Sequence, residues 1–97
     1  MQIYDAEDNG THRSVSVGMG IDGHLVIEAQ DLGSMPRLAF GTSEYDFAVA
    51  VAPEDFAVLL MKLIRERYAG DSSAVDNFRD WLDKNQIPNS FWNRMGD

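Results

Sequence analysis

The apolar residues of this chain change period once, near Ala52, and that change bounds what the chain can fold into. Before Ala52, apolar side chains alternate with small or polar ones, which is the period of a half-buried strand. After it they recur at three and four residues, which is the period of an amphipathic helix. Strands first and helices after define an α+β class.

Four strands are predicted. The first is Arg13 to Gly20, where Val15, Val17 and Met19 share a face. The second is His24 to Asp31, with Leu25, Ile27 and Ala29 on one face. A two-residue turn between them would put the two apolar sets on opposite sides. A three-residue loop, Ile21-Asp22-Gly23, pairs Met19 with Leu25, Val17 with Ile27 and Val15 with Ala29. That loop needs Gly23 in the left-handed conformation. Gly33-Ser34-Met35-Pro36 reads as a break, because proline cannot donate to a ladder. A short third strand, Arg37 to Gly41, follows it, with Leu38 and Phe40 inward. The fourth runs from Tyr45 to Ala52, with Tyr45, Phe47, Val49 and Val51 on one face. An antiparallel meander is the simplest connection.

Pro53-Glu54-Asp55 opens a helix, since proline suits a first turn and acids complement the dipole there. Phe56, Leu59, Leu60, Leu63 and Ile64 form its stripe, and it ends near Gly70. A second helix is capped by Ser72 or Ser73 and ends before Ile87-Pro88. Its stripe is Val75, Phe78 and Leu82, with Trp81 beside it, and the tail from Asn89 to Asp97 forms one more short turn. The expected architecture is a four-stranded antiparallel meander with two C-terminal helices packed on one face. At 97 residues it is read as one domain, 1–97.

Composition narrows the function. There is no cysteine, so neither disulfides nor thiolate metal sites are available. No apolar run is long enough to span a bilayer, and the first residues are acidic where a signal peptide is basic. A cytoplasmic protein without a membrane partner is expected. Net charge is −8, and the first half carries only Arg13 and Arg37 among eight Lys and Arg. Nucleic-acid binders normally show a basic face, so the balance favours basic partners, or simply solubility.

Patterns that carry chemistry fail at named residues. Asp5, Glu7, Asn9 and Gly10 match the opening of a calcium loop, but Ser16 stands where a bidentate Glu is needed. The bland alternative is a solvated acidic turn. His12 and His24 have no metal spacing, and His24 is expected on the outward sheet face. Ser14 and Ser16 beside a histidine define no catalytic site without geometry. Gly18, Gly20 and Gly23 lead from strand to strand, not from strand to helix as a dinucleotide fingerprint requires. No catalytic residue, cofactor or metal follows, and the chain is read as not an enzyme.

Two surfaces remain. The outward sheet face would show Gly18, Gly20, Val26, Ala39, Gly41, Ala48, Ala50 and Ala52, which is plain for a solvated face. A second subunit, the N-terminal segment or a protein partner would cover it; the alternative is an exposed face of small residues, since much protein surface is apolar. Phe91 and Trp92 are either partner anchors or a closure of the core.

The pattern Ile87-Pro88-x-x-Phe91-Trp92-x-Arg94-x-Gly96-Asp97, with Phe40-Gly41-x-x-Glu44-Tyr45-Asp46-Phe47, resembles a small family of uncharacterised bacterial proteins common in actinobacteria. The resemblance covers the chain from Leu25 on and implies no activity. Four strands followed by a helix is also similar to transcriptional-coactivator and Whirly-type single-strand-binding domains. Those carry basic, aromatic sheets, and this sheet is expected to be acidic at its edges without outward aromatics. The leading expectation is a protein-interaction module, in its specific form an immunity-type protein against a basic toxin. The alternative is a single-stranded nucleic-acid binder using Arg13 and Arg37, or Lys62, Arg65 and Arg67.

Overall fold

Asn9 and Gly10 both hold positive φ, 52° and 79°, and turn the chain between two strands within two residues. The computed structural model describes residues 1–96. It shows strands β1 (Gln2–Asp8), β2 (Thr11–Met19), β3 (Leu25–Gly33) and β4 (Glu44–Val51). They form one antiparallel sheet in the order β1-β2-β3-β4, a meander. Helices lie at the C-terminal end, so the class is α+β.

The β2–β3 hairpin has the expected register: Met19 opposes Leu25, Val17 opposes Ile27 and Val15 opposes Ala29. Gly23 has φ 80°. Its N–H donates to the Gly20 carbonyl at 3.0 Å, and the Gly20 N–H donates to the His24 carbonyl at 2.8 Å. The Asp22 carboxylate accepts from the His24 N–H at 3.1 Å.

The membership of the meander differs from expectation at two places. The acidic N-terminal segment is a strand, with Tyr4 opposite Val15 and Ala6 opposite Arg13. Its signal was the Asn-Gly dipeptide, whose two positive φ values suit a two-residue hairpin. The second difference is Arg37 to Gly41, which is not a strand. It lies in helix α1 (Ser34–Phe40) and its cap, Gly41, at φ 75°. The proline that breaks a ladder is equally at home in a first helical turn, and Pro36 sits there, buried. The first hairpin supplies partners for that turn. Thr11 Oγ1 accepts from the Met35 N–H at 2.9 Å, and Ser34 Oγ donates to the Asn9 carbonyl at 3.0 Å. Leu38 is exposed rather than inward, while Phe40 stacks on Tyr45.

Contacts divide the chain into two units, Met1–Leu59 and Leu60–Asp97. In the first, Ala29, Asp31 and Pro36 are buried. A short 3-10 turn, Pro53–Asp55, leads into α2 (Phe56–Tyr68). The second unit holds the rest of α2 and α3 (Ala74–Lys84), where Tyr68 meets Phe78 edge-on at 5.8 Å. Ser73, one of the two expected caps, is the N-cap residue of α3, but its side chain makes no bond to the helix. Asp71 does the work: its two carboxylate oxygens accept from the Ser73 N–H and from Asn77 Nδ2, each at 2.8 Å. The helix ends before Ile87-Pro88, with Gln86 at φ 57°. The expected turn of helix after Asn89 does not form in residues 89–96, and Asp97 lies outside the described residues. Asn89 Nδ2 instead bonds Asp83 and the Ile87 carbonyl, a local alternative to helical bonding. No helix among the described residues is long and apolar enough to cross a membrane.

Gly33 links β3 to α1 at φ 125°, and a Cβ there would fall inside contact distance of the Gly10 carbonyl oxygen. Gly33→Ala is expected to cost about 3 kcal/mol or more in urea unfolding, through backbone strain plus that clash. Gly18→Ala meets open space and should change stability by under about 0.5 kcal/mol.

Candidate functional site

The register sorts the sheet into two unlike faces, because side chains alternate. On one, Val15, Ala29 and Phe47 stand in a row, as do Val17, Ile27 and Val49. The next row toward the first hairpin is Arg13, Asp31 and Tyr45. Arg13 reaches across to Asp31 with Nε and Nη2, each 2.6 Å from a carboxylate oxygen. Asp31 is 6% exposed, whereas Arg13 is half exposed. The guanidinium's hydrogen bonds hold the Asp31 carboxyl below its usual pKa against the opposing effect of burial. Asp31 in turn raises the Arg13 pKa. Phe40, Tyr45 and Phe47 stack in series, with centroids 4.4 and 5.2 Å apart, and Arg13 sits 5.4 Å from the Phe47 ring. These aromatics are exposed, and Val49 is 64% exposed.

The opposite face corrects the picture of a uniformly plain surface. Gly18, Val26 and Ala50 do stand in one row, with Ala48 next to Ala50 on the same side of β4. Gly20 lies just beyond, at the hairpin. A shallow cleft of about 300 Å³ covers this end and includes Gly18, Gly20 and Val26. Ala39 and Gly41 belong to α1 and its cap, so they leave the face. The other end is acidic. Asp5, Glu7, Glu28, Glu44 and Asp46 project there, and a cleft of about 320 Å³ is lined by Ser14, Ser16, Glu28, Gln30 and Asp46. Gln30 Nε2 donates to Glu44 at 2.9 Å.

The remaining candidates resolve into local contacts. Asp5 and Glu7 of the candidate calcium loop lie along β1, and Asp5 pairs with His12. An extended strand does not wrap an ion, and no metal-holding group of His, Asp and Glu occurs among the described residues. His24 sits at the hairpin loop, outside any strand. Its Nδ1 is 3.1 Å from Asp22 but outside hydrogen-bonding geometry. The Asp22 carboxyl is held below its usual pKa, chiefly by the backbone N–H of His24. Among the described residues neither Ser14 nor Ser16 hydrogen-bonds a histidine.

In the helical unit, an apolar groove of about 460 Å³ is lined by Leu60, Leu63, Ile64, Tyr68, Phe78, Trp81, Leu82 and Ile87. Arg67 lies 5.6 Å from the Tyr68 ring and 5.7 Å from the Trp81 ring. Phe91 and Trp92 part company. Phe91, 53% exposed, lines a second groove with Val75, Phe78 and Leu82 and lies 4.7 Å from the Arg79 guanidinium. Trp92 is 73% exposed. Sequence reasoning missed the Arg13–Asp31 pair, although the register it derived places these two residues opposite each other.

Comparison of the chain with protein-family models, curated proteins and solved structures finds no match.

Because its folded pKa is lowered, Asp31 stabilises the fold fully above about pH 4, and that contribution is lost as pH falls through the lowered value. In Arg13→Gln the carboxylate stays buried without its partner. The stability gap between wild type and variant should therefore be largest at about pH 7 and shrink at about pH 3.5, as read by urea titrations. Phe91→Ala should cost about 1 kcal/mol, and Trp92→Ala under about 0.5 kcal/mol, in thermal unfolding.

Proposed function

We propose that this chain is a cytoplasmic, non-enzymatic protein-interaction module that takes a basic protein partner on the acidic face of its sheet. The observation that carries the reading is the content of that face. Asp5, Glu7, Glu28, Glu44 and Asp46 project from it, and among the described strand residues His12, already paired with Asp5, is the only basic side chain there. Such a field steers basic surfaces and repels phosphate backbones. Beside the acids, Gly18, Val26, Ala48 and Ala50 form a flat apolar end, which lets a partner backbone approach closely. An immunity-type protein that neutralises a basic toxin is the specific form this supports. A net charge of −8 in 97 residues is consistent with it.

A second reading has one observation in its favour. The stacked series Phe40, Tyr45 and Phe47 beside Arg13 is the kind of platform on which bases stack. Arg13 is committed to Asp31, however, and so is not free to hold a phosphate.

The two separate in one experiment. The tagged chain is incubated with an extract of the native host at low salt and eluted with rising salt. A basic protein released by salt, and lost from a Glu28→Lys/Asp46→Lys variant, is the expected result. Recovery of nucleic acid without a protein overturns the first reading. Failure to retain single-stranded DNA at low salt ends the second.

A further inference from the structure

The two edges of the sheet are built differently. β1 is guarded: its ladder slips between Gln2 and Tyr4, a bulge, and it carries Asp5, Glu7 and Asp8. β4 has no bulge, and its two acids, Glu44 and Asp46, lie together at one end and leave Phe47 to Val51 uncharged. It pairs with β3 residue for residue from Glu44 to Val51 without a slip, and its sequence EYDFAVAV has no proline, lysine or arginine. A regular, unguarded edge is a template for another strand.

The bonding alternation shows which main-chain groups that edge offers. In an antiparallel ladder, alternate residues bond to alternate neighbours. The Gly33 N–H donates to the Ser43 carbonyl at 2.8 Å, so the odd-numbered residues of β4 bond to β3. Glu44, Asp46, Ala48 and Ala50 therefore turn their N–H and C=O groups to the open side.

We propose that β4 pairs antiparallel with β4 of a second copy of this chain, joining two sheets into one. The proposal rests on the interaction reading above and names the chain itself as one partner. Charge sets the direction. Glu44 and Asp46 lie at one end of the strand, while Ala48 to Val51 at the other are uncharged. Parallel pairing would bring the acids of the two copies together; antiparallel pairing sets each pair against the partner's apolar end. Alternation sets the register, because odd residues must oppose odd ones for the two apolar faces to join. With Ala48 on the two-fold axis, Phe47 meets Val49 and Tyr45 meets Val51 of the second copy, aromatic against β-branched, while Asp46 meets Ala50. The symmetry closes. Both β4 edges are consumed, the outer edges are the guarded β1 strands, and growth stops at two.

The test uses the full chain. Sedimentation over a concentration series should show a monomer–dimer equilibrium. Ala48→Lys and Ala48→Glu each place like charges opposite each other on the axis and should weaken self-association roughly tenfold or more. An equal mixture of the two should restore the dimer, a recovery that misfolded variants would not show. In wild type, the amides of Asp46, Ala48 and Ala50 should gain protection from hydrogen exchange as concentration rises, while that of Val49, already bonded to β3, should not. A wild-type chain that stays monomeric at millimolar concentration, or a dimer that leaves those three amides unprotected, overturns the proposal. A monomer that still captures a basic protein overturns it too, while leaving the interaction reading intact. A dimer with those protections that captures only nucleic acid supports the pairing and removes the acidic-face reading.

Discussion

β2 and β3 are the inner strands of the sheet, and the loop Ile21 to Gly23 sets the register between them. The two hydrogen bonds that Gly20 exchanges with Gly23 and His24 hold that loop at three residues. A loop shorter by one residue would send Val15 and Val17 to one side and Ile27 and Ala29 to the other. The acidic face, the place of Arg13 beside Phe47 and the alignment of Arg13 with Asp31 all presuppose this single choice. β1 and β4 then inherit their faces by pairing onto strands already placed.

Asp31 shows how far the register reaches. A carboxylate this buried is unfavourable unless it is paired and hydrogen-bonded, and both oxygens are taken up by one guanidinium. Arg13 cannot also act as a free cation, which bears on every functional reading of that face. Two residues further along the same strands, the close approach of Gly33 to Gly10 and the hydroxyls of Thr11 and Ser34 tie α1 to the first hairpin. The short helix thus depends on a turn more than twenty residues earlier in the chain, as the Ser34–Asn9 separation of 25 shows.

Particular residues explain what could be read in advance. Val15, Val17 and Met19 against Leu25, Ile27 and Ala29 left one register that kept apolar side chains together, and it is the one observed. The helical stripe from Phe56 had no competing period. Arg37 to Gly41, by contrast, offers only Leu38 and Phe40, two residues apart, too few to tell a strand from a turn of helix. In β1 the alternation was masked by acids at Asp5, Glu7 and Asp8, and the informative signal was the Asn9-Gly10 turn rather than hydrophobicity. The candidate surface was half legible. Gly18, Val26, Ala48 and Ala50 follow from alternation alone, but their acidic neighbours on β1 come into view only once that strand is known to pair.

The sequence by itself determined the α+β class, the β2–β3 register and the positions of α2 and α3. These rest on local periodicity and on one steric choice at Gly23. Only the tertiary structure decided that the N-terminal acids form a strand, that Ser34 to Phe40 is a helix, and that Asp31 is buried against Arg13. The last two depend on main-chain or ionic partners far along the chain, and the first on pairing across the Asn9-Gly10 turn of a strand whose alternation its acids mask; a local pattern of apolar residues carries no record of either.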